Sequence, residues 1–208
     1  MRVCRSAVLT LVFLCVTLWG ARVVAGTEAP DLYRASYQAE ARGDYVGALA
    51  KMRQIRKAAG VSYFLALRTG WVAYLAGELA VAETAYGEAV AVKPKAVEAK
   101  LGLSLVLFAG KKWGELETTC KQVLSQDSKH PAVRARLAAA QYNLGKFTDS
   151  AQGYRKLLDD YPGELDYQTG LAWALLRMGK IAEARSLFQA VLAVSPDNPS
   201  ARGGLTPK

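Results

Sequence analysis

The chain repeats its own punctuation every 34 residues. Stepping back by 34 from Gly179 lands on Gly145, Lys111, Gly77 and Gly43. Two places further along stand Ile181, Phe147, Trp113, Leu79 and Tyr45. The next landmark gives Ala184, Ser150, Leu116, Ala82 and Ala48, followed by Phe188, Tyr154, Cys120, Tyr86 and Met52. Val191, Leu157, Val123, Ala89 and Ile55 come after those, and the cycle closes on Pro196, Pro162, Ser128, Pro94 and Gly60. Residues 29–198 hold five such units of 34 with no insertion or deletion between them. A fixed period of that length marks a stacked array whose units are each too small to bury an apolar face alone.

The physics within one unit is legible in the last copy. "LDYQTGLAWALLRM" carries apolar residues at helical spacing and predicts a first helix. Gly179 can adopt the left-handed conformation that ends it. "KIAEARSLFQAVLAV" predicts a second helix, with Ile181, Ala184, Phe188 and Val191 on one face, and Pro196 stops it. Ala184 is small where the two helices should cross, and Phe188 is large where they diverge. Strand-like alternation is scarce along the chain, so the expected class is all-α.

These landmarks resemble the tetratricopeptide repeat, a helix–turn–helix unit of 34 residues. Its signature places a leucine and a small residue in the first helix, then glycine, an aromatic, alanine, another aromatic and a closing proline. The first-helix pair stands here as Leu171–Ala172, Leu137–Ala138, Leu103–Ser104 and Thr69–Gly70. The match is strong in the second, fourth and fifth copies. The third departs from it with Lys111, Leu116 and Ser128, although "FAGKKW" keeps a glycine one place early. The first copy is the weakest, with Ala35–Ser36 and Gly60. The resemblance implies a right-handed α-solenoid of five repeats, 29–62, 63–96, 97–130, 131–164 and 165–198, and a tail at 199–208. Gly203, Gly204 and Pro207 argue against a full sixth helix in that tail.

In this family the first helices line a concave face through their second, fifth, ninth and twelfth positions. Read onto this chain, the first copy gives Pro30, Tyr33, Tyr37 and Glu40, and the second Phe64, Leu67, Trp71 and Tyr74. The third gives Glu98, Leu101, Leu105 and Phe108, and the fourth Ala132, Ala135, Ala139 and Tyr142. Asp166, Thr169, Trp173 and Leu176 complete the set. One reading packs these aromatics between neighbouring helices. The other makes Tyr37, Phe64, Trp71, Tyr74, Leu105 and Phe108 an exposed apolar strip for a partner's helix or peptide. Arg68, Arg136 and Arg177 lie beside that face, either as solvated flanks or as contacts for acidic partner residues. Some family members clamp a terminal carboxylate with inner-face lysines and asparagines. Leu67, Leu101 and Ala135 occupy the matching places here, which speaks against such a clamp.

Residues 1–25 are expected to form a secretory signal peptide. Arg2 and Arg5 precede the 13-residue apolar run "AVLTLVFLCVTLW", and "VVA" offers a cut after Ala25. An uncleaved anchor is the alternative, and the one route by which a membrane contact is expected. Removing this stretch takes away three arginines and no acids, lowering the net charge from +9 to +6. It also removes Cys4 and Cys15, so Cys120 is left without an internal disulfide partner. Its place on an apolar helix stripe marks it as a packing residue. An exported chain of this kind is expected in the periplasm if its source is a Gram-negative bacterium.

A site for chemistry needs a constellation, and the sequence writes none. There is no G-x-S-x-G elbow and no G-x-x-x-x-G-K-[ST] phosphate loop. One histidine, His130, excludes H-E-x-x-H, and one cysteine in the mature chain excludes cysteine-based zinc knots. The acids of "LDDYPGELD" fall at a predicted helix end and turn, where they solubilise. Lysines and arginines alternate with acids instead of forming a stripe, so nucleic acid is not expected. No cofactor, metal or enzymatic activity is expected. The function class is a protein-interaction scaffold of the cell envelope, with homo-oligomerisation open. The alternative is an envelope accessory that binds glycan or supports an enzyme or secretion complex.

Overall fold

The computed structural model describes residues 29–206. The expected signal peptide at 1–25 lies outside them. Among the described residues every regular element is a helix. Helix α1 spans 29–41 and is followed by α2 (Tyr45–Ala59), α3 (Tyr63–Leu75) and α4 (Leu79–Val92). Then come α5 (Val97–Ala109), α6 (Trp113–Leu124), α7 (Pro131–Asn143), α8 (Phe147–Asp160), α9 (Leu165–Arg177), α10 (Ile181–Val194) and α11 (Pro199–Leu205). The chain divides into two compact units at Pro94, each built from successive packed helix pairs.

The period is carried in the backbone. Positive φ falls on Gly43, Gly77, Gly145 and Gly179 at 75° to 78°, and on Lys111 at 56°. In the "FAGKKW" turn the left-handed residue is therefore the lysine in register, and the early Gly110 keeps φ −79°. Register outweighs residue preference at that turn. The α3–α4 and α9–α10 pairs close in the same way. Glu78 N–H donates to Ala73 O and Lys180 N–H to Leu175 O, taking up carbonyls left over at the helix end.

In the first unit the landmark residues of the second helices are buried: Ala48, Met52 and Ile55 in α2, and Ala82, Tyr86 and Ala89 in α4. Gly70 in α3 lets the Tyr86 ring approach, since a Cβ there would stand 2.8 Å from three of its carbons. Asp44 caps α2 by accepting from Gly47 N–H at 2.8 Å, and Ser62 caps α3 by accepting from Leu65 N–H at 3.2 Å. Arg56 of α2 donates to both carboxylate oxygens of Glu88 in α4, each at 2.6 Å.

In the second unit the same offsets bury Leu116, Cys120 and Val123, then Ser150, Tyr154 and Leu157, then Ala184, Phe188 and Val191. Burial pushes the Cys120 thiol up to about 11, although Arg136 nearby works to lower it. First helices also touch one another, α5 against α7 and α7 against α9. Glu117 of α6 accepts from Lys121 Nζ at 2.8 Å and from Lys146 Nζ, at the start of α8, at 2.7 Å.

One expectation needs correction. Ile181 is 60% exposed and does not share the buried face of Ala184, Phe188 and Val191. It stands at the rim of a hollow that it lines with Leu176 and Arg177 of α9 and Leu205 of α11. The tail holds a helix of 7 residues, short of the 13 of a full first helix. Pro199 supplies a preset first turn, Asn198 caps it by accepting from Ala201 N–H at 2.9 Å, and α11 packs on α9 and α10. Gly204 is the reason this works, because any side chain there would enter the Phe188 ring. Of the two glycines read as helix breakers, Gly204 is the one that lets this short helix come close.

Candidate functional site

On the first unit, α1 and α3 gather the aromatic residues expected at the inner offsets. Tyr37, Phe64 and Trp71 stay 46%, 53% and 39% exposed, whereas Tyr33, Leu67 and Tyr74 are half-buried. The Tyr33 and Phe64 rings stand 5.4 Å apart, and Trp71 stacks on Tyr74 at 6.2 Å. Arg68 is not a solvated flank of this face. It is buried beneath it, paired with Glu40 through Nη1, donating from Nη2 to Ser36 Oγ at 3.2 Å, and lying 3.8 Å under the Tyr37 ring. Glu40 also accepts from Trp71 Nε1 at 2.8 Å. Burial works to raise the Glu40 pKa, but the hydrogen bonds from Trp71 and Arg68 outweigh it and hold the carboxyl below its ordinary range. One buried ion pair therefore fixes two exposed rings, Tyr37 from below and Trp71 by its edge.

On the second unit the expected residues behave differently. Phe108 is exposed and meets Trp113 edge-on at 5.8 Å. Leu101, Leu105, Tyr142 and Trp173 are half-buried. Phe108, Ala135, Ala139, Asp166, Thr169 and Trp173 come together around a recess of about 390 Å³. A second lobe of about 300 Å³ lies between Ala139, Tyr142, Tyr154, Gly170 and Trp173. The fourth-copy alanines thus form a hollow, not a platform. Arg136 borders it, half-buried, donating from Nη1 to Ser104 Oγ at 2.9 Å. Arg177 is exposed, with its guanidinium 4.6 Å from the Phe147 ring centroid.

The sequence pointed to the first helices only, and it missed three contributors. Tyr154 comes from a second helix and reaches the recess because Gly170 has no side chain to block its ring. Asn198 and Ser200 arrive with α11, and Ser200 Oγ accepts from Trp173 Nε1 at 2.9 Å. The glycine at 170, beside an aromatic landmark one helix earlier, was the available signal.

Among the described residues, no group of three or more His, Cys, Asp or Glu side chains stands together as a metal cage. No helix there is long and apolar enough to cross a membrane.

Two family models, both described as tetratricopeptide repeat, match the chain, one over residues 67–115 and 169–205 and the other over 136–163. Together they span more than half of its length. The chain belongs to the tetratricopeptide-repeat family. A tetratricopeptide repeat protein of Parabacteroides merdae superposes with a TM-score of 0.76 at 16% identity, covering 86% of this chain and 71% of that one. MamA of Desulfovibrio magneticus RS-1, from residue 41 to its end, gives 0.75 at 16% identity over 83% and 97%. At that identity the likeness concerns the fold. Protein CTR9 homolog of Arabidopsis thaliana is 32% identical over 62 residues, a stretch that is 29% of this chain and 6% of that protein's length. Tetratricopeptide repeats are interaction modules as a class, and this chain carries them on an all-helical frame.

Proposed function

We propose that this tetratricopeptide-repeat chain is a non-catalytic scaffold of the cell envelope that holds a partner protein's helix or peptide against its first helices. The observation that carries the reading is the rigid aromatic face of the first unit. Water-exposed rings are held in place by a buried ion pair whose strength would be wasted on a surface with nothing to meet. Pre-ordered rings lose little freedom on binding, and aromatic anchors of this kind carry about 2 kcal/mol or more on truncation. Export rests on the pattern of residues 1–25, and the envelope setting rests on export. Trp71→Ala in the mature chain is expected to reduce co-purification of the partner protein at least tenfold. Undiminished capture would remove the face from the argument. N-terminal sequencing of the chain recovered from fractionated cells is expected to begin at Gly26.

A further inference from the structure

The hollow beside Ile181 lies at the end of the second unit, between α9, α10 and α11, and holds about 520 Å³. Trp173 and Leu176 of α9, Ile181 of α10 and Leu205 of α11 make its apolar wall. Gly203 keeps space open, since a Cβ there would meet Trp173 at 3.9 Å, an ordinary contact. Thr206 closes one end. Its hydroxyl donates to Arg202 O at 3.1 Å, with Gly203 O at 3.3 Å, and its backbone turns extended at ψ 128°. The proline that follows in sequence favours that extended backbone, so no helix runs on from α11 into the hollow.

Two arginines stand on this apolar wall with no acid to meet them. Trp173 and Arg177 lie one turn apart on α9, as do Ile181 and Arg185 on α10, so each guanidinium shares a helix face with an apolar residue of the wall. No acidic residue of the described chain lines the hollow. The acids nearest in sequence are held elsewhere, Glu183 by Arg155 and Lys180 and Asp197 by Arg202. Among the described residues Arg177 has only the Phe147 ring, 4.6 Å away, and Arg185 makes no ion pair or hydrogen bond. The places in register with Arg177 hold Asn143, Ala109, Leu75 and Ala41, and those in register with Arg185 hold Ala151, Glu117, Glu83 and Leu49. This pair of cations belongs to the last repeat alone.

We infer that the hollow binds a free aliphatic carboxylate, with its alkyl chain against Trp173, Leu176, Ile181 and Leu205 and its head group at Arg177 and Arg185. A guanidinium presents paired N–H donors in the geometry that a carboxylate accepts. A benzene ring occupies a cavity of about 150 Å³, or about 25 Å³ for each carbon, so a chain of about eight to twelve carbons needs roughly 200–300 Å³ and fits with its head group. The site takes a small molecule and stands apart from the capture of a partner protein by the first unit.

The test follows the Trp173 indole N–H signal by ¹⁵N NMR while the full chain is titrated with octanoate, octan-1-ol, octylammonium and acetate. Octanoate is expected to move the signal saturably, the alcohol and the amine to bind at least tenfold more weakly, and acetate to leave it in place. Arg177→Gln combined with Arg185→Gln is expected to lower octanoate affinity at least tenfold and to leave the alcohol's affinity as it was. Gly203→Leu, which fills the hollow and favours the helix at α11, is expected to weaken octanoate tenfold or more. Equal affinity for octanoate and octan-1-ol, octanoate affinity unchanged in the double arginine variant or in Gly203→Leu, or a Trp173 signal that octanoate does not move would overturn the proposal. So would a response confined to phosphatidylglycerol vesicles or to the acidic helical peptide (Glu-Ala-Ala-Leu)₄, because the occupant would then be a bilayer or a partner's helix.

Discussion

Replacing Glu40 with Gln tests the buried pair beneath the first unit's aromatic face. Arg68 has a side chain only 6% exposed, and Glu40 is 22% exposed. Trp71 Nε1 and Arg68 Nη1 bond different oxygens of Glu40, and glutamine keeps only one, so the variant removes the charge, leaves the shape and turns an NH₂ toward one of the two donors. Stranding one member of a buried pair costs about 3–5 kcal/mol. Partial exposure of the carboxylate and the oxygen retained by glutamine reduce that to about 2 kcal/mol here, the range of a hydrogen bond to a charged group. Arg68→Met leaves a carboxylate that water can reach, so its cost is also about 2 kcal/mol. With both charges gone, neither stranding penalty remains, and the double variant is expected to cost about as much as either single one. Urea unfolding of all four proteins gives the cycle, and hydrogen exchange in α1 and α3 assigns the effect to the first unit. Additive single effects, or a cost for Glu40→Gln below about 0.5 kcal/mol, would show that the pair anchors nothing.

Ser150 sits where three other copies carry Ala48, Ala82 and Ala184, and its buried hydroxyl has no hydrogen-bond partner. Ser150→Ala is expected to raise stability by about 1 kcal/mol, seen as a higher urea midpoint at unchanged slope. Lys111 holds φ 56° at a turn that glycine occupies in the other copies. Lys111→Gly is expected to stabilise by about 0.5–1 kcal/mol, because relief of left-handed strain outweighs the added freedom of the unfolded chain. A loss of stability would mean that the lysine side chain makes a contact worth more than the strain. Hydrogen bonds from Lys121 and Lys146 hold the Glu117 carboxyl below its ordinary range. A depressed folded pKa gives stability that is complete above the unfolded value of about 4.3 and lost as pH falls through the folded one. Glu117→Gln is therefore expected to lower stability by a constant amount above about pH 5, with the gap from wild type closing as the medium is acidified further. A gap that persists unchanged down to pH 2 would refute the assignment.

What the sequence made legible follows from how each feature is encoded. The turns at Gly43, Gly77, Gly145 and Gly179 and the buried residues of the second helices obey a fixed period, so each copy corroborates the others. Lys111 reads as a departure, with Gly110 one place early, yet positive φ falls on the lysine in register and not on the glycine. The fate of Arg68 was not readable. A charged residue next to an inner offset is a solvated flank in most settings, and Arg177, exposed on α9, behaves that way. Arg68 goes inward because Ser36, Glu40 and Tyr37 of the preceding first helix stand ready to receive it, 28 to 32 residues earlier. The same arrangement half recurs at Arg136, which finds Ser104 32 residues back but meets Phe108 where Arg68 has Glu40. Ala135 and Ala139 stand in register with Leu67 and Trp71, and that loss of bulk leaves a hollow in the second unit where the first has an aromatic face; which partner a side chain finds across helices is not written in the period.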